Sequence, residues 1–436
     1  MEPMLDGTPL LPSQSYSRPG VLVLGGSIGA LGAARSLGRN GVAVWLLCEG
    51  SGVASLSRYV ARTLAWAGAE ADGALAELVG LATTHGLQGW LVVAAGDPEA
   101  RLLARNHDEV AKVFRTTVPR YDVVRWADDK VLTYNHAQTL GLATPRLYAH
   151  DGLEDIAELD CLYPVIVKPA VHEGASRFDL AKAWVVKNRT ELLARYREAI
   201  SCVEPRHIVV QEMIPGDGST QLSYAGLWKD GRPLAGMVAK RLRQYPIHVG
   251  YTSTFVQVVE NPAVEAAADR FLRSIGYSGL VEVEFKYDSR DDKYKILDVN
   301  ARLWSWVGLG AAAQVDFPMM LYRATLGEEL APARATIGQA WSYTPRDLIA
   351  ALHEIRVGRL RLRDYLQQVR RGSTAALFAF DDPLPAIAEL PIVAYRVLTR
   401  RLLRPAGQVR SRARADAGAA PGPHSTHRSP TGEMTG

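Results

Sequence analysis

Long apolar runs are missing from this sequence. Its most apolar stretch, over 306–322, is broken by Gln314, Asp316 and Pro318, short of the roughly 18 consecutive apolar residues that a membrane-spanning helix requires. No transmembrane segment is expected. Cysteine is scarce as well: Cys48, Cys161 and Cys202 stand far apart, with no CxxC spacing and no Cys/His cluster. That excludes a disulfide framework and a structural zinc site, and it suits a reducing cytoplasm. Charge of one sign is not in excess, since 50 Lys+Arg against 46 Asp+Glu leave +4 over 436 residues. Nucleic-acid binding, which shows as a concentrated basic surface, is not expected. Residues 1–19 hold no apolar core of a signal peptide and read as a loose leader.

What is present is organised. With 47% hydrophobic and 22% charged residues, the composition is globular, and the length suits roughly two to three domains. An apolar run over 21–24 enters Gly25-Gly-Ser-Ile-Gly29-Ala-Leu-Gly32, continues through an Ala/Leu-periodic segment to Asn40-Gly41 and meets a second apolar run over 42–47. Strand, glycine turn, helix and strand in that order open a parallel α/β unit. A further strand over 90–95 ends at Gly96-Asp97-Pro98, so 20–125 reads as one doubly wound domain.

From Trp126 the texture changes. A helix is predicted over 128–140, a strand over 163–168 closed by Pro169, a strand over 183–186, a helix over 190–200 capped by Thr190, and a strand over 208–213. Apolar runs over 280–287 and 294–299 flank a charged turn and predict an antiparallel pair. Residues 126–335, with a small lobe over about 143–216, are therefore α+β rather than a second Rossmann unit. Residues 336–404 read as helical, and 405–436, rich in Gly, Ala, Pro, Ser and Arg, as a disordered tail. Within 390–404, Arg396, Arg400 and Arg404 recur every four residues. This basic-faced amphipathic helix either makes a peripheral contact with an acidic surface or membrane, or packs its apolar face on the preceding domain.

The glycines over 25–32 admit two readings. They bring backbone NH groups to an anion at a helix N-terminus, or they let neighbouring elements pack closely. Their spacing is GxxGxxG, and Glu49 only loosely matches a ribose-binding acid. A second constellation has several parts in a fixed order. Lys130 opens a helix and Lys168 ends an apolar strand, where a lysine costs desolvation unless an anion compensates it. Val209-Val-Gln-Glu212-Met-Ile-Pro-Gly216 is a strand emptying into a turn, able to offer backbone groups to an adenine edge and an acid to a ribose. By two-residue alternation Glu282 and Glu284 share a strand face, as do Asp298 and Asn300. Glu284, Asp298 and Asn300 either provide the all-oxygen ligands that magnesium takes beside nucleotide phosphates or belong to a ladder of surface acids. In Lys240-Arg-Leu-Arg243, Lys240 and Leu242 share one face and Arg241 and Arg243 the other. This strand either fixes a substrate carboxylate or is a charged, solvated edge.

The ordered series Lys130, Val165-Ile-Val-Lys168-Pro169, Gln211-Glu-Met-Ile-Pro-Gly216, Val283-Glu284-Phe285 and Asp298-Val-Asn300-Ala-Arg302 resembles the ATP-grasp superfamily over roughly residues 20–330, in particular its carboxylate-amine ligase-like branch. The resemblance implies an α/β, Rossmann-like pre-ATP-grasp domain, then an α+β ATP-grasp fold with a helical C-terminal extension. It implies ATP and Mg2+ as cofactors. Lys130 and Lys168, with Ser176 of the covering loop, would contact phosphates, and Gln211, Glu212, Met213 and Ile214 would line the nucleotide. Glu284, Asp298 and Asn300 would hold the metal. Arg302, with Lys240, Arg241 and Arg243, would face the reacting carboxylate and γ-phosphate. The implied activity is ADP-forming ligation of a small-molecule carboxylate to an amine. Two features depart from the family pattern. The covering loop reads His172-Glu-Gly-Ala-Ser-Arg-Phe178, with only Gly174 to supply backbone freedom and Arg177 or Lys182 as substitutes. The acid two residues before Asn300 is Asp298, where Glu is usual. A Rossmann-type oxidoreductase built on the glycines over 26–32 and a non-catalytic ATP-binding scaffold are the competing expectations.

Overall fold

The computed structural model describes residues 18–50, 52–171, 178, 183–245, 252–370, 373–389 and 391. Residues up to Pro385 form one compact unit; of a second unit, 386–389 are described as helical, together with residue 391. The expected tail over 405–436, most of the basic segment over 390–404, Ser176, Arg177 and Lys182 lie outside the described residues.

Five parallel strands make the first sheet: β1 (Val21–Leu24), β2 (Val44–Cys48), β3 (Val60–Ala65), β4 (Leu91–Ala94) and β5 (Arg115–Thr116), in the order β3-β2-β1-β4-β5. Every residue of β1, β2 and β4 is buried. Burial on both faces is why they read as unbroken apolar runs. Strand order reverses at β1, so the crevice past the ends of β1 and β4 is the switch point at which such sheets bind ligands. Asp97 stands there, opening the helix Asp97–Arg105.

A separate three-stranded sheet places β6 (Val165–Pro169) antiparallel between β7 (Trp184–Val186) and β8 (Ile208–Glu212). Val165 and Val167 are buried in a core with Leu192, Tyr196 and Val210. Ile166 and Lys168, offset by one residue, face the opposite way into a cleft. The helix Arg189–Ile200 starts one residue earlier than the sequence suggested. Its cap is Asn188, whose side chain accepts from the Glu191 backbone NH at 2.9 Å, and not Thr190. Asn188→Ala should therefore cost about 1 kcal/mol of stability, read as a lower denaturant midpoint, while Thr190→Ala leaves it within error.

The largest sheet is built from β9 (Gln221–Lys229), β10 (Arg232–Tyr245), β11 (Thr252–Val259), β12 (Gly279–Asp288), β13 (Lys293–Asn300), β14 (Ala333–Arg334), β15 (Ala340–Ser342) and β16 (Thr374–Ala375). Its order is β13-β12-β9-β10-β11-β15-β16, with β14 beside β10. Asp230 and Gly231, at φ 50° and 69°, turn β9 into β10 with the positive φ pair that tight hairpins favour. Tyr224, Val281, Val283 and Phe285 share an apolar core with Leu22 and Val92 of the first sheet.

The C-terminal segment is not purely helical, contrary to the sequence reading. Before and after its helices, Thr344–Arg356 and Leu362–Arg370, β15 pairs with β11 and β16 with β15. All three residues of β15 are buried, in a run too short to show alternation. The segment then returns to the first domain. Arg35 donates to Asp382 Oδ2 at 2.9 Å and to the carbonyls of Ala376, Leu377 and Asp382, while Ser57 Oγ donates to the same carboxylate at 2.7 Å. Arg35 and Asp382 are both buried.

Candidate active site

A cavity of about 550 Å³ lies between the small and the large sheets, within the size range of small-molecule sites. All three parts of the chain line it. The first domain supplies Asp97, the small sheet Lys168 and the C-terminal segment Ala350, Glu354 and Arg359.

Lys168 enters from β6. Its Nζ donates to Tyr134 Oη at 3.1 Å and lies over that ring at 5.4 Å. Fully buried Tyr134 is fixed in turn by donating to the Leu297 carbonyl at 2.8 Å. No carboxylate pairs with Lys168 within 4.0 Å among the described residues. Burial, and after it the charge of Lys130, push its ammonium down to about 7, against the pull of Asp298 and Glu284. Lys130, buried at the start of the helix Lys130–Thr139, approaches Asp298 Oδ2 at 3.5 Å. These are two cations with too little negative charge between them, which is the electrostatic signature of an anion site.

Opposite stand the acids. In the β12–β13 register Glu284 faces Asp298 and Glu282 faces Asn300, and the ladder bulges after Glu284. Glu284 and Asp298 are part-exposed to the cleft, and Arg241 reaches Glu284 only at 3.5 Å. Burial and then Glu284 raise the Glu282 carboxyl to about 7, with Arg241 and Arg302 opposing. No group of three or more His, Cys, Asp or Glu suited to a metal occurs among the described residues. Two carboxylates and an amide oxygen fit a magnesium ion held mainly by nucleotide phosphates, which demands few protein ligands. Arg302 donates to Asp97 Oδ1 at 2.5 Å and Oδ2 at 3.1 Å, and to Asn300 Oδ1 at 2.9 Å. Burial works against its charge, but Asp97 holds the guanidinium protonated beyond the ordinary range.

The cleft thus brings together Lys130, Lys168, Gln211, Met213, Ile214, Arg241, Arg243, Glu284, Asp298, Asn300 and Arg302. Three residues of the sequence reading stand elsewhere or are otherwise engaged. Glu212 does not line the cleft. Its carboxylate accepts from Lys295 at 2.9 Å, Arg290 at 2.8 Å and the Arg146 backbone NH at 3.0 Å, bracing the small sheet against β13. Lys240 is also absent from the lining, because β10 is regular against β11 up to Arg241 and alternation turns Lys240 away from the face on which Arg241 meets the cleft. Arg243 lies at the cleft wall, but it is paired through Nε and Nη2 with buried Asp347, at 2.7 and 2.8 Å, and so anchors the helix Thr344–Arg356. Arg241 also lines the cleft, where its Nη1 donates to Gln221 Oε1 at 2.8 Å.

Sequence reasoning missed Asp97, Gln221, Lys286, Glu354 and Arg359. Lys286 continues the alternation of Glu282 and Glu284, and Asp97 follows a parallel strand, so both carried a signal. Glu354 and Arg359 carried none. The glycine turn serves close packing: a Cβ on Gly29 would lie 2.8 Å from the Trp304 carbonyl oxygen, and one on Gly32 3.0 Å from Val307. The oxidoreductase alternative has no support.

The small and large sheets with the cleft between them make the ATP-grasp fold, preceded by the N-terminal α/β domain of the first sheet. The solved structures that share it include L-amino acid ligase from Bacillus licheniformis, with a TM-score of 0.54 and 17% identity, covering 71% of this chain and 75% of that one. N5-carboxyaminoimidazole ribonucleotide synthetase from Thermus thermophilus aligns with the same TM-score of 0.54 and 17% identity, over 73% of this chain and 82% of that one. Among curated proteins, a D-aspartate ligase from Enterococcus faecium (strain Aus0004) is 27% identical over 228 residues, 49% of this chain and 53% of the relative. The chain spans about half the length of that relative. No family model matches the chain.

Proposed function

We propose that the protein is an ATP-dependent ligase that activates a carboxylate as its acyl phosphate and joins it to an amine, releasing ADP and phosphate. The observation that carries this reading is Lys168, a cation without a carboxylate partner among the described residues, facing Glu284 and Asp298 across one cleft. A site for phosphates and a site for their magnesium are thereby adjacent. In the first step a carboxylate oxygen attacks the γ-phosphorus and ADP leaves. In the second the amine attacks the acyl carbon, phosphate leaves and the amine gives up a proton. No side chain acts as nucleophile. Lys130 and Lys168 neutralise the phosphates, and Arg241 and Arg302 orient the carboxylate, so catalysis is positioning and charge stabilisation. Magnesium, bound through Glu284, Asp298 and Asn300, would supply further charge neutralisation on the phosphate oxygens.

The likeness to a D-aspartate ligase and an L-amino acid ligase supports an amino acid as one substrate. No helix among the described residues is long and apolar enough to cross a membrane, and small-molecule substrates with free ATP suit a cytoplasmic setting. The experiment is interception. Hydroxylamine, offered with ATP, magnesium and a panel of carboxylates, should yield a hydroxamate of the true substrate with matching ADP and phosphate. AMP and pyrophosphate, or ADP with no hydroxamate across the panel, would reject the acyl-phosphate route.

A further inference from the structure

Among the proposed magnesium ligands, Asn300 alone can present the wrong atom. A carboxamide turned by half a rotation offers NH2 in place of oxygen, and only the oxygen binds a cation. In the structure both ends of the amide are claimed. Arg302 Nη2 donates to Oδ1 at 2.9 Å, and Nδ2 donates to Glu282 Oε2 at 3.2 Å. Glu282 is directly opposite Asn300 in the β12–β13 ladder. It is itself held, since its Oε1 accepts from Trp306 Nε1 at 3.1 Å, and Glu282 and Trp306 are only 4% and 2% exposed. Glu282 does not line the cleft, whereas Glu284 and Asn300 on either side of it do.

We propose that Glu282 is a positioning residue that locks the Asn300 carboxamide with its oxygen on the Arg302 side, ready for the cation. In the structure both Glu282 oxygens accept, one from Trp306 and one from Asn300, and the Arg302 guanidinium has only donors. One amide orientation satisfies both neighbours; the other sets oxygen against oxygen and NH2 against guanidinium, losing two hydrogen bonds. Arg302 occupies one lone pair of Oδ1 and leaves the second for a metal. Residues that orient a ligand in this way tune metal affinity without touching the metal. This inference rests on Asn300 being a magnesium ligand, as in the proposed function.

The test titrates magnesium calorimetrically into protein saturated with a non-hydrolysable ATP analogue. In Glu282→Gln the shape is kept, and the Trp306 donor holds the new amide oxygen, so the new NH2 faces Asn300 and favours the flipped carboxamide. The magnesium dissociation constant should rise roughly 10- to 100-fold. Metal-free affinity for the analogue and the melting temperature should stay within error of wild type. In an Asn300→Ala background the same substitution should add nothing. Trp306→Phe, which frees Glu282 to turn, should shift the magnesium constant in the same direction and carries the test should Glu282→Gln not fold. If wild-type protein binds the analogue but no magnesium, the metal reading of Asn300 fails and this inference with it. If wild type binds magnesium and Glu282→Gln leaves the constant unchanged, or acts fully in Asn300→Ala, the orienting role alone is overturned.

Discussion

Replacing Lys168 by methionine should weaken ATP binding by roughly 30- to several-thousand-fold, the 2–5 kcal/mol that truncating one member of a buried charge pair costs. The melting temperature below pH 7 should not fall, because no carboxylate among the described residues pairs with this cation. The pH dependence has a definite sign. Burial and Lys130 bring the folded-state value down from 10.5 to about 7, so between those limits the unfolded chain binds the extra proton. Stability from this group therefore rises with pH across that window, and Lys168→Met should flatten the rise. Phosphate binding restores the charge. Wild-type protein should accordingly take up a proton on binding ATP at pH 8, seen as a buffer-dependent heat in calorimetry, and its apparent affinity should decline above about pH 7. A variant that binds ATP normally, or a wild type that takes up no proton, would remove Lys168 from the phosphates.

Glu284→Gln and Asp298→Asn should each lower turnover by on the order of 100-fold or more at fixed magnesium, comparable to removing one preorganised charge-stabilising group from an active site. Each should also raise the magnesium concentration needed for half-maximal rate. Magnesium titrations that superimpose on the wild-type curve would return both residues to a structural role.

Much of this site was legible because local alternation and global burial agree. The strand 165–169 reads apolar on one phase and carries Lys168 on the other, and the structure keeps that phase, with Val165 and Val167 in the core and Lys168 in the cleft. Glu284 and Asp298 were legible for the same reason, on two apolar runs joined by a charged turn. The failures have physical causes of two kinds. Lys240 and Arg241 could not both face the cleft by alternation, and the structure chose Arg241, while bulges after it bring Leu242 and Gln244 to the wall as well. An acid at a strand end also looks the same in sequence whether it meets a ligand or, as Glu212 does, Lys295 and Arg290. Arg243 found Asp347, and Arg35 found Asp382, far along the chain, through packing that no local pattern announces.

The strap that carries Ala350, Glu354 and Arg359 to the cleft and then fastens Asp382 onto Arg35 and Ser57 also fixes an order of assembly. On the ribosome, Asp97, Lys130 and Lys168 emerge well before the far wall of the cleft, which Ala350, Glu354 and Arg359 supply. A nascent chain can complete its parallel sheet and bury Arg35 only in part, with that guanidinium waiting for a carboxylate hundreds of residues downstream. A chain broken off before Asp382 therefore leaves Arg35 without its buried partner.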